Sequence, residues 1–343
     1  MTVGGAEKLL VGMLNNLHGF ENHLMLLNGP ETLCSEITAS CTITNLNIGG
    51  WGSLLTSGHK VKKYIRQHQI DLVHSHLYRA NILARLGTPA DVPLINSIHA
   101  ISSLASYKIR KETLWLEKLT YRKRHHILAV SNEVLKDFDQ WVGLKGKGTV
   151  LYNFIEDRFF TAPKKSSYHT DPLRLVAVGN LRQQKNYPYL VEAFRHLTGN
   201  VKLDIYGEGH MRDELQQTID KYKLPIRLLG IRNDMQNVLH EYDLFVMTSF
   251  YEGQPVALLE ATVCGLPAIL SNVPVLKEIG GENALYVNID DPHDLAKRIN
   301  EIREARYDLK AMADRAYNTI AEFAKQKNYI SKLEALYEAD LKL

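Results

Sequence analysis

Short apolar runs alternate with helical patterns along almost the whole chain, and this alternation restricts the fold more than any other feature. In the first half it predicts helices at residues 6–17, 54–68, 80–86 and 107–124, and strands at 23–27, 71–76, 93–98 and 127–130. Strands that alternate with helices are typical of βαβ units, whose strands lie parallel in one sheet. The first half therefore predicts an α/β domain. Ser131, just before the next helical pattern, is the expected N-cap of that helix.

A second series of the same kind follows the polar stretch TAPKKSSYHTDP at 161–172, which lacks apolar periodicity. Beyond it, strands are predicted at 173–180, 201–207, 226–230, 244–249, 267–271 and 284–288, with helices such as 189–197 and 211–222 between them. The segment 309–343 has one apolar face and predicts a helix that packs against the body. We therefore expect two parallel α/β units with a boundary in the polar stretch.

The charge balance and the cysteines exclude other classes of protein. The 343 residues suffice for two domains with separate cores, and 41 basic against 38 acidic residues leave a net charge of only +3. Nucleic-acid binding, which needs a strong basic excess, is therefore not expected. The three cysteines form neither an even disulfide set nor a zinc pattern, and residues 1–20 lack a secretion signal. No apolar run reaches the roughly 18 residues that span a bilayer, so we expect a cytoplasmic protein.

The most informative segment is TSFYEGQPVALLEATVCGLP at 248–267, in which two glutamates stand eight residues apart. Gly253 and Pro255 predict a turn directly after Glu252, and the following VALLEA predicts a helix that carries Glu260 about two turns in. A loop carboxylate beside the free N–H groups of a helix start suits a ligand with both hydroxyls and phosphate. From the spacing alone, a capping Glu252 and a solvated Glu260 are the commoner alternative.

This segment closely resembles the EGxPxxLLEAxxxGxP signature of the retaining glycosyltransferases of family 4, which have the GT-B fold. Other segments resemble the same family in the same order, namely GGAEK at 4–8, DLVHSH at 71–76, INSIHA at 95–100, AVSN at 129–132, AVGNLRQQKN at 177–186 and IYGEG at 205–209. The resemblance covers nearly the whole chain. It implies two Rossmann-like parallel-sheet domains facing a cleft, at residues 1–160 and 173–318, with a C-terminal helix at 319–343 that crosses back.

The resemblance also implies a site for a UDP- or GDP-linked sugar. Its donor-binding residues are Gly4, Gly5, Arg182, Lys185, Glu252, Gly253, Gln254, Pro255, Val256 and Glu260, and its catalytic set is His99, Arg182, Lys185 and Glu252. By this resemblance Glu260 binds the ribose hydroxyls, Glu252 binds the sugar, and the two basic residues face the diphosphate. Ordinary turns, surface cations and a packed histidine are the simpler alternatives.

No metal-ligand pattern accompanies these residues. His74 and His76 point to one face of a predicted strand, but no further ligands join them, so a structural role is expected. A GT-B enzyme needs no metal, and we expect a metal-independent reaction without a cofactor.

Two departures from the family pattern concern the glycine loops. Asn180 follows Gly179 where the family often has arginine, so Lys185 is the firmer expected contact of the diphosphate. Family members begin with a strand before the first glycine loop, whereas three residues precede Gly4 here. We expect either that the N-terminal sheet lacks its first strand or that the sequence begins within a longer chain.

The stretch from Tyr107 to His126 is strongly basic. It holds seven lysines and arginines against two glutamates, with leucines, Trp115 and Tyr121 between them. A basic amphipathic helix can bind anionic lipid head groups, which predicts contact with a membrane surface. A solvated helix face is the alternative that the sequence leaves open.

These observations predict a retaining glycosyltransferase that moves a sugar from a nucleotide sugar to a glycan or lipid-linked acceptor, in cell-surface polysaccharide synthesis. A non-catalytic or defective nucleotide-sugar-binding protein of the same fold is the alternative, and donor turnover separates the two. An NAD-dependent dehydrogenase is disfavoured, because no strand is followed by GxGxxG and an acidic residue about 20 positions later. The expected location is the cytoplasm, including the inner face of the membrane.

Overall fold

The computed structural model describes residues 5–29, 32–101, 103 and 111–342. Contacts between residues divide the chain into two units. We call residues 1–154 together with 326–343 unit 1, and residues 155–325 unit 2. Among the described residues, no helix has both the length and the apolar character needed to cross a membrane.

The described strands of unit 1 form two parallel sheets. β1 (Asn22–Leu26) pairs with β2 (Cys41–Asn45), and a four-stranded sheet has the order β3 (Val73–His76), β4 (Leu94–Ile98), β5 (His125–Ala129) and β6 (Gly148–Val150). Every residue of β4 and β5 is buried, as expected for central strands of a parallel sheet. The structure confirms the four strands predicted here. β5 begins two residues earlier than predicted, because His125 already pairs with Leu94.

The helices of unit 1 include α1 (Gly5–Leu14), α2 (Trp51–Thr56), α3 (Gly58–Gln67), α4 (Tyr78–Gly87), α5 (Lys111–Thr120) and α6 (Asn132–Val142). The prediction of one helix at 54–68 is wrong, since α2 and α3 separate at Ser57. α3 packs closely on α4 from this break onward, and a Cβ atom on Gly58 would lie 3.0 Å from the Leu86 carbonyl oxygen. The predicted N-cap is confirmed, because Ser131 Oγ accepts a hydrogen bond from the Val134 amide. Residues 107–110 of the predicted basic helix lie outside the described residues.

Unit 2 holds a six-stranded parallel sheet, and the structure confirms all six predicted strands. They are β7 (Leu173–Val178), β8 (Val201–Tyr206), β9 (Ile226–Gly230), β10 (Leu244–Met247), β11 (Ala268–Ser271) and β12 (Leu285–Val287). The helices are α7 (Asp157–Thr161), α8 (Tyr187–Phe194), α9 (Arg212–Tyr222), α10 (Val256–Val263), α11 (Pro274–Gly280), α12 (Pro292–Arg303) and α13 (Leu309–Ala324). Leucine, isoleucine and valine side chains from the strands form the centre of the core.

The strand order of unit 2 contains a topological switch. The order across the sheet is β12, β11, β10, β7, β8, β9, so the chain builds outward from β7 and then returns to place β10 on its other side. The helices that follow β7 and β10 therefore lie on opposite faces of the sheet, and the loops that lead to them are neighbours at its carboxyl edge. In open parallel sheets, ligands bind in the crevice at such a point.

The C-terminal segment is two helices rather than the one helix predicted at 309–343. α13 belongs to unit 2, and α14 (Gln326–Leu341) belongs to unit 1. Lys325 separates them in an extended conformation, and its backbone forms a bridge with Ile155. The apolar face of α14 is buried in unit 1, where Tyr329 and Leu333 pack in the same cluster as residues of α1.

Candidate active site

The loop after β7, residues 179–186, is held in place by contacts among its own residues and with Tyr187. Lys185 folds over Gly179, where a Cβ atom would lie 3.0 Å from the lysine Cε. The Tyr187 hydroxyl donates a hydrogen bond to the Gly179 carbonyl at 3.0 Å. Burial raises the pKa of Tyr187 well above its usual range, and the nearby Glu252 charge adds to the effect. The phenol therefore keeps the proton that fixes this loop.

The glycine motif after β8 supports this loop from behind. Gly207 has a φ of +151° and approaches so closely that a Cβ atom would lie 2.0 Å from the Gly179 carbonyl oxygen. Gly209 lies as tightly against Leu181, and the Leu181 amide donates to the Glu208 carbonyl at 3.0 Å. The IYGEG motif thus shapes the neighbouring loop through backbone contacts that leave no room for a side chain.

The loop after β10 meets the loop after β7 at the switch point. The Phe250 amide donates to the Gln184 carbonyl, and the Gln184 side-chain amide donates to the Tyr251 carbonyl, both at 2.9 Å. Lys185 Nζ lies 2.6 Å from Glu252 Oε1. The glutamate is buried, with 6 % of its surface exposed. Two residues predicted from separate motifs are therefore brought together as a charge-assisted pair.

The rest of the signature segment forms the start of α10. Gly253, Gln254 and Pro255 make the turn between Glu252 and the helix, which begins at Val256, and all three are buried. The first N–H groups of a helix carry partial positive charge, so this turn adds to the positive charge of Lys185. Glu260 lies half-buried in the second turn of α10.

Two other residues of unit 2, Arg182 and Cys264, differ in whether they are accessible to a ligand. Arg182 is exposed at the start of a short 3₁₀ turn that ends at Lys185. Cys264 closes α10 and is fully buried, and burial raises the pKa of its thiol to about 12. The thiol is therefore protonated at neutral pH and does not offer a nucleophile.

Sequence reasoning missed two polar residues in these loops. Asn186 and Ser249 are buried beside the pair, and among the described residues Asn186 Nδ2 and Ser249 Oγ have no hydrogen-bond partner. Asn186 also adopts a left-handed conformation, with a φ of 52°. Their only sequence signal is their place between a strand and the helix that follows it, since Asn186 directly precedes α8 and Ser249 lies two residues after β10.

Unit 1 carries the other predicted site residues. Gly5 is the first residue of α1, and Gly4 lies outside the described residues. His99 follows β4, and its Nε2 lies 3.0 Å from Nδ1 of His76 at the end of β3. Burial lowers the pKa of His99 to about 4. His99 is therefore a neutral imidazole at physiological pH.

His74, two residues before His76 on β3, has structural partners. His74 Nδ1 lies 2.6 Å from the Tyr337 hydroxyl of α14, and its Nε2 lies 2.7 Å from Ser97 Oγ. Burial lowers the pKa of His74 to about 3, with a smaller contribution from the nearby rings of His99 and His126. Across the part of the chain that the structure describes, no group of three or more metal-ligating side chains is present. Metal independence stays a prediction.

The two halves of the sequence match two family models. Residues 159–319 match the family described as glycosyl transferases group 1, and residues 3–159 match glycosyltransferase family 4. This chain belongs to the glycosyltransferases that these two models describe. Similar curated proteins include an Escherichia coli UDP-Gal:alpha-D-GlcNAc-diphosphoundecaprenol alpha-1,3-galactosyltransferase, which is 28% identical over 80% of this chain and 77% of its own. An N-acetylgalactosaminyltransferase of Campylobacter jejuni, whose name specifies a diphospho-undecaprenol acceptor, is 26% identical over 94% of this chain and 93% of its own.

Solved structures of other proteins share the fold of this chain. HepE from Anabaena, crystallised with UDP and glucose, has a TM-score of 0.83 with 19% sequence identity, covering 98% of this chain and 96% of its own. The lipopolysaccharide outer core galactosyltransferase WaaB has a TM-score of 0.75 with 17% identity, covering 98% and 96%. The predicted GT-B fold, with two Rossmann-like parallel-sheet domains, is confirmed.

Proposed function

We propose that this glycosyltransferase transfers a sugar, with retention of its anomeric configuration, from a UDP- or GDP-linked donor to a glycan or lipid-linked acceptor of cell-surface polysaccharide synthesis. The observation that carries the proposal is the pairing of Lys185 with Glu252 at the switch point of unit 2. Here a cation, a carboxylate and a helix start lie within two adjoining loops. This combination matches a ligand that has both a diphosphate and sugar hydroxyls.

The diphosphate, the sugar and the ribose of the donor would each bind different residues of this site. The Lys185 ammonium has three N–H donors, one of which meets Glu252 Oε1, so the others are available to the diphosphate. Glu252 Oε2 can accept a hydrogen bond from a sugar hydroxyl, and the family resemblance implies that Gly253 and Gln254 line the donor beside it. Arg182, exposed on the same loop, adds a second cation. As the family resemblance implies, Glu260 would hold the ribose.

The chemical step needs no protein base. As the bond between sugar C1 and the β-phosphate oxygen breaks, negative charge grows on the departing diphosphate, where Lys185 and Arg182 stabilise it. The acceptor oxygen bonds to C1 on the face that the phosphate leaves, and its proton passes to the departing phosphate oxygen. The products are a glycoside of retained configuration and a nucleoside diphosphate. His99, neutral and fixed by His76, is proposed to contact the sugar and the acceptor hydroxyl.

The proposed acceptor class rests on the relatives. The names of two of them specify acceptors on diphospho-undecaprenol. We therefore propose that this enzyme extends a lipid-linked glycan from the cytoplasm, at the inner face of a membrane. Because the cations and helix N–H groups can balance the diphosphate charge, we propose that it does so without a metal.

Calorimetric titration with UDP and GDP tests the proposal. Lys185→Ala and Glu260→Ala should each weaken nucleotide binding by about 1–3 kcal/mol, since each removes a charge-assisted hydrogen bond. Lys202→Ala, which removes an exposed lysine of β8, serves as the control and should bind as the wild type does. Unchanged affinity in both site variants would show that these assignments are wrong. Nucleotide binding without any turnover of UDP- or GDP-sugars would instead favour a non-catalytic binding protein.

A further inference from the structure

The connection between β3 and α4 in unit 1 is a single residue, Leu77. β3 ends at His76 and α4 begins at Tyr78, so Leu77 alone turns the chain from the strand into the helix. It does so with a φ of 72° and a ψ of 154°, a conformation that is almost confined to glycine. A leucine at this position therefore costs free energy that a glycine would avoid.

The Leu77 side chain gains little burial in return for this strain. It is 44% exposed at the carboxyl edge of the sheet. It directly follows His76, whose Nδ1 lies 3.0 Å from Nε2 of His99. Residues held in such strained conformations cluster at active sites and at positions that clamp a ligand. An exposed, strained leucine beside the histidine pair therefore indicates a position that contacts a ligand.

Two further apolar side chains extend this exposed surface onto α2. Trp51 is 39% exposed and Leu55 is 44% exposed, and because they stand four residues apart they lie on one face of the helix. The Trp51 ring packs edge-on against the ring of Tyr78, which follows Leu77, with the centroids 5.9 Å apart. We call Trp51, Leu55, Leu77 and Arg79 the α2–α4 surface.

Arg79 gives the α2–α4 surface a positive charge. Its guanidinium lies 5.6 Å from the centroid of the Trp51 ring, and its Nη2 donates to the Gly49 carbonyl at 3.4 Å. Neither of these partners is charged, and the sequence contains no Asp or Glu at 41–56 or at 72–85. Arg79 also lies in the first turn of α4, where the helix dipole disfavours a cation. A bound anion beside Arg79 is therefore favoured.

The side chains of the α2–α4 surface distinguish between the parts of a lipid-linked acceptor. Sugar hydroxyls need acceptor groups for their hydrogens, but Trp51 and Arg79 carry only N–H donors, and Leu55 and Leu77 have no polar atom. A diphosphate joined to a hydrocarbon chain matches this composition better. The guanidinium pairs with the anion, and the apolar side chains remove the hydrocarbon from water.

We propose that the α2–α4 surface binds the diphosphate and the first isoprene units of a prenyl-linked acceptor, whose sugar hydroxyl lies at the histidine pair. The proposal rests on the proposed function, in which a sugar is transferred to a lipid-linked acceptor. Arg79 holds the diphosphate, and the three apolar side chains cover the isoprene units. Arg79 follows His76 by three residues, so their Cα atoms are at most about 11 Å apart. One sugar unit with its adjoining phosphate can span this distance.

Calorimetric titration of the full chain with farnesyl diphosphate tests the proposal, with saturating UDP present to occupy the donor site of unit 2. We expect the wild type to bind. Arg79→Gln should weaken this binding about tenfold or more, because it removes a charge-assisted contact. Arg79→Lys keeps the charge and should recover part of the affinity.

The apolar contacts are tested with two tryptophan variants. Trp51→Ala should weaken the binding of farnesyl diphosphate about tenfold, because it removes apolar contact area. Trp141→Ala is the matched control, since Trp141 is 48% exposed near the end of α6, at the opposite edge of the sheet. This variant should bind as the wild type does.

Leu77→Gly separates ligand contact from a structural role. Glycine relieves the backbone strain, so the urea midpoint followed by far-ultraviolet circular dichroism should equal or exceed that of the wild type. Farnesyl diphosphate should nevertheless bind about tenfold more weakly, because an apolar contact is lost. A leucine that served only the fold would lower the urea midpoint when it is replaced.

Tryptophan emission shows where the ligand lies. The tryptophans of the chain are Trp51, Trp115 and Trp141. A shift in emission on addition of farnesyl diphosphate should disappear in Trp51→Phe, which keeps an apolar ring at this position. A shift that persists in this variant would place the ligand elsewhere and overturn the proposal.

Three further results would overturn the proposal. They are no binding of farnesyl diphosphate by the wild type, binding that is lost when UDP is added, and unchanged affinity in Arg79→Gln and Leu77→Gly. Methyl glycosides of glucose, galactose and N-acetylglucosamine test the alternative ligand, and binding of these glycosides that depends on Trp51 in place of farnesyl diphosphate would assign the surface to a sugar ring. UDP binding by the wild type is measured in a separate titration, so a failure of the proposed donor site would be recognised separately.

Discussion

Acidification from pH 7 to pH 5 should destabilise unit 1 strongly, because its buried histidines are neutral in the folded state. Burial lowers the pKa of His74 and His125 to about 3 and that of His99 to about 4. The unfolded chain takes up protons on these rings near pH 6.5, whereas the folded chain does not. Their stabilising contribution is therefore complete above pH 6.5 and is lost as the pH falls toward the folded pKa values.

The size of the effect follows from the two pKa values. Between pH 7 and pH 5, each histidine with a folded pKa of 4 or less should lower the free energy of unfolding by about 2 kcal/mol. The three histidines together should lower it by about 6 kcal/mol, which is a large part of the ~5–15 kcal/mol that stabilises a typical domain. Burial also lowers the pKa of His76 well below its usual range, and this adds to the loss.

Urea unfolding followed by tryptophan fluorescence measures this loss in the correct unit, because Trp51, Trp115 and Trp141 all belong to unit 1. His74→Gln should remove about 2 kcal/mol of the pH dependence, whatever it does to stability at pH 7. His18→Gln, at an exposed position, should leave the pH dependence unchanged. Equal stability of the wild type at pH 5 and pH 7, or full pH dependence in His74→Gln, would refute the reasoning.

Two further predictions concern unit 2. Sugar transfer, or hydrolysis of the donor, should persist in excess EDTA, since Lys185, Arg182 and the start of α10 balance the diphosphate charge; abolition by EDTA with rescue by manganese would contradict this. Gly207→Ala should weaken UDP binding at least tenfold and lower the urea midpoint followed by far-ultraviolet circular dichroism, because the new Cβ would lie 2.0 Å from the Gly179 carbonyl oxygen and displace the loop that carries Lys185. Gly19→Ala has no heavy atom within 4 Å of its Cβ, and should change neither quantity.

Periodicity predicted the buried strands well, because they are short apolar runs and polar residues mark where they end. It missed β2 and β6, in which no residue is fully buried. It failed at the helix breaks, because a break depends on distant partners. α2 and α3 separate where Gly58 meets α4, and α13 and α14 separate where Lys325 pairs with Ile155. Neither contact has a local signal in the sequence.

The candidate site shows the same limit. The family pattern selected Lys185 and Glu252 individually, but their ion pair depends on β10 lying next to β7, which only the strand order establishes. Asn186 and Ser249 were missed for the same reason, since a buried polar atom without a partner is visible only after the loops are packed together.

The C-terminal helix links the acid sensitivity of unit 1 to the position of His99. Burial raises the pKa of Tyr337 well above its usual range, so its hydroxyl keeps a proton that it can donate to His74 Nδ1. His74 then carries its hydrogen on Nε2 and donates it to Ser97 on β4. The His74 ring also lies 4.2 Å from the His76 ring, which in turn contacts His99. Protonation of His74 would remove the acceptor of the Tyr337 hydroxyl and would therefore weaken the packing of α14 on unit 1. The same protonation would disturb the pair of His76 and His99, which lies at the proposed acceptor side of the site.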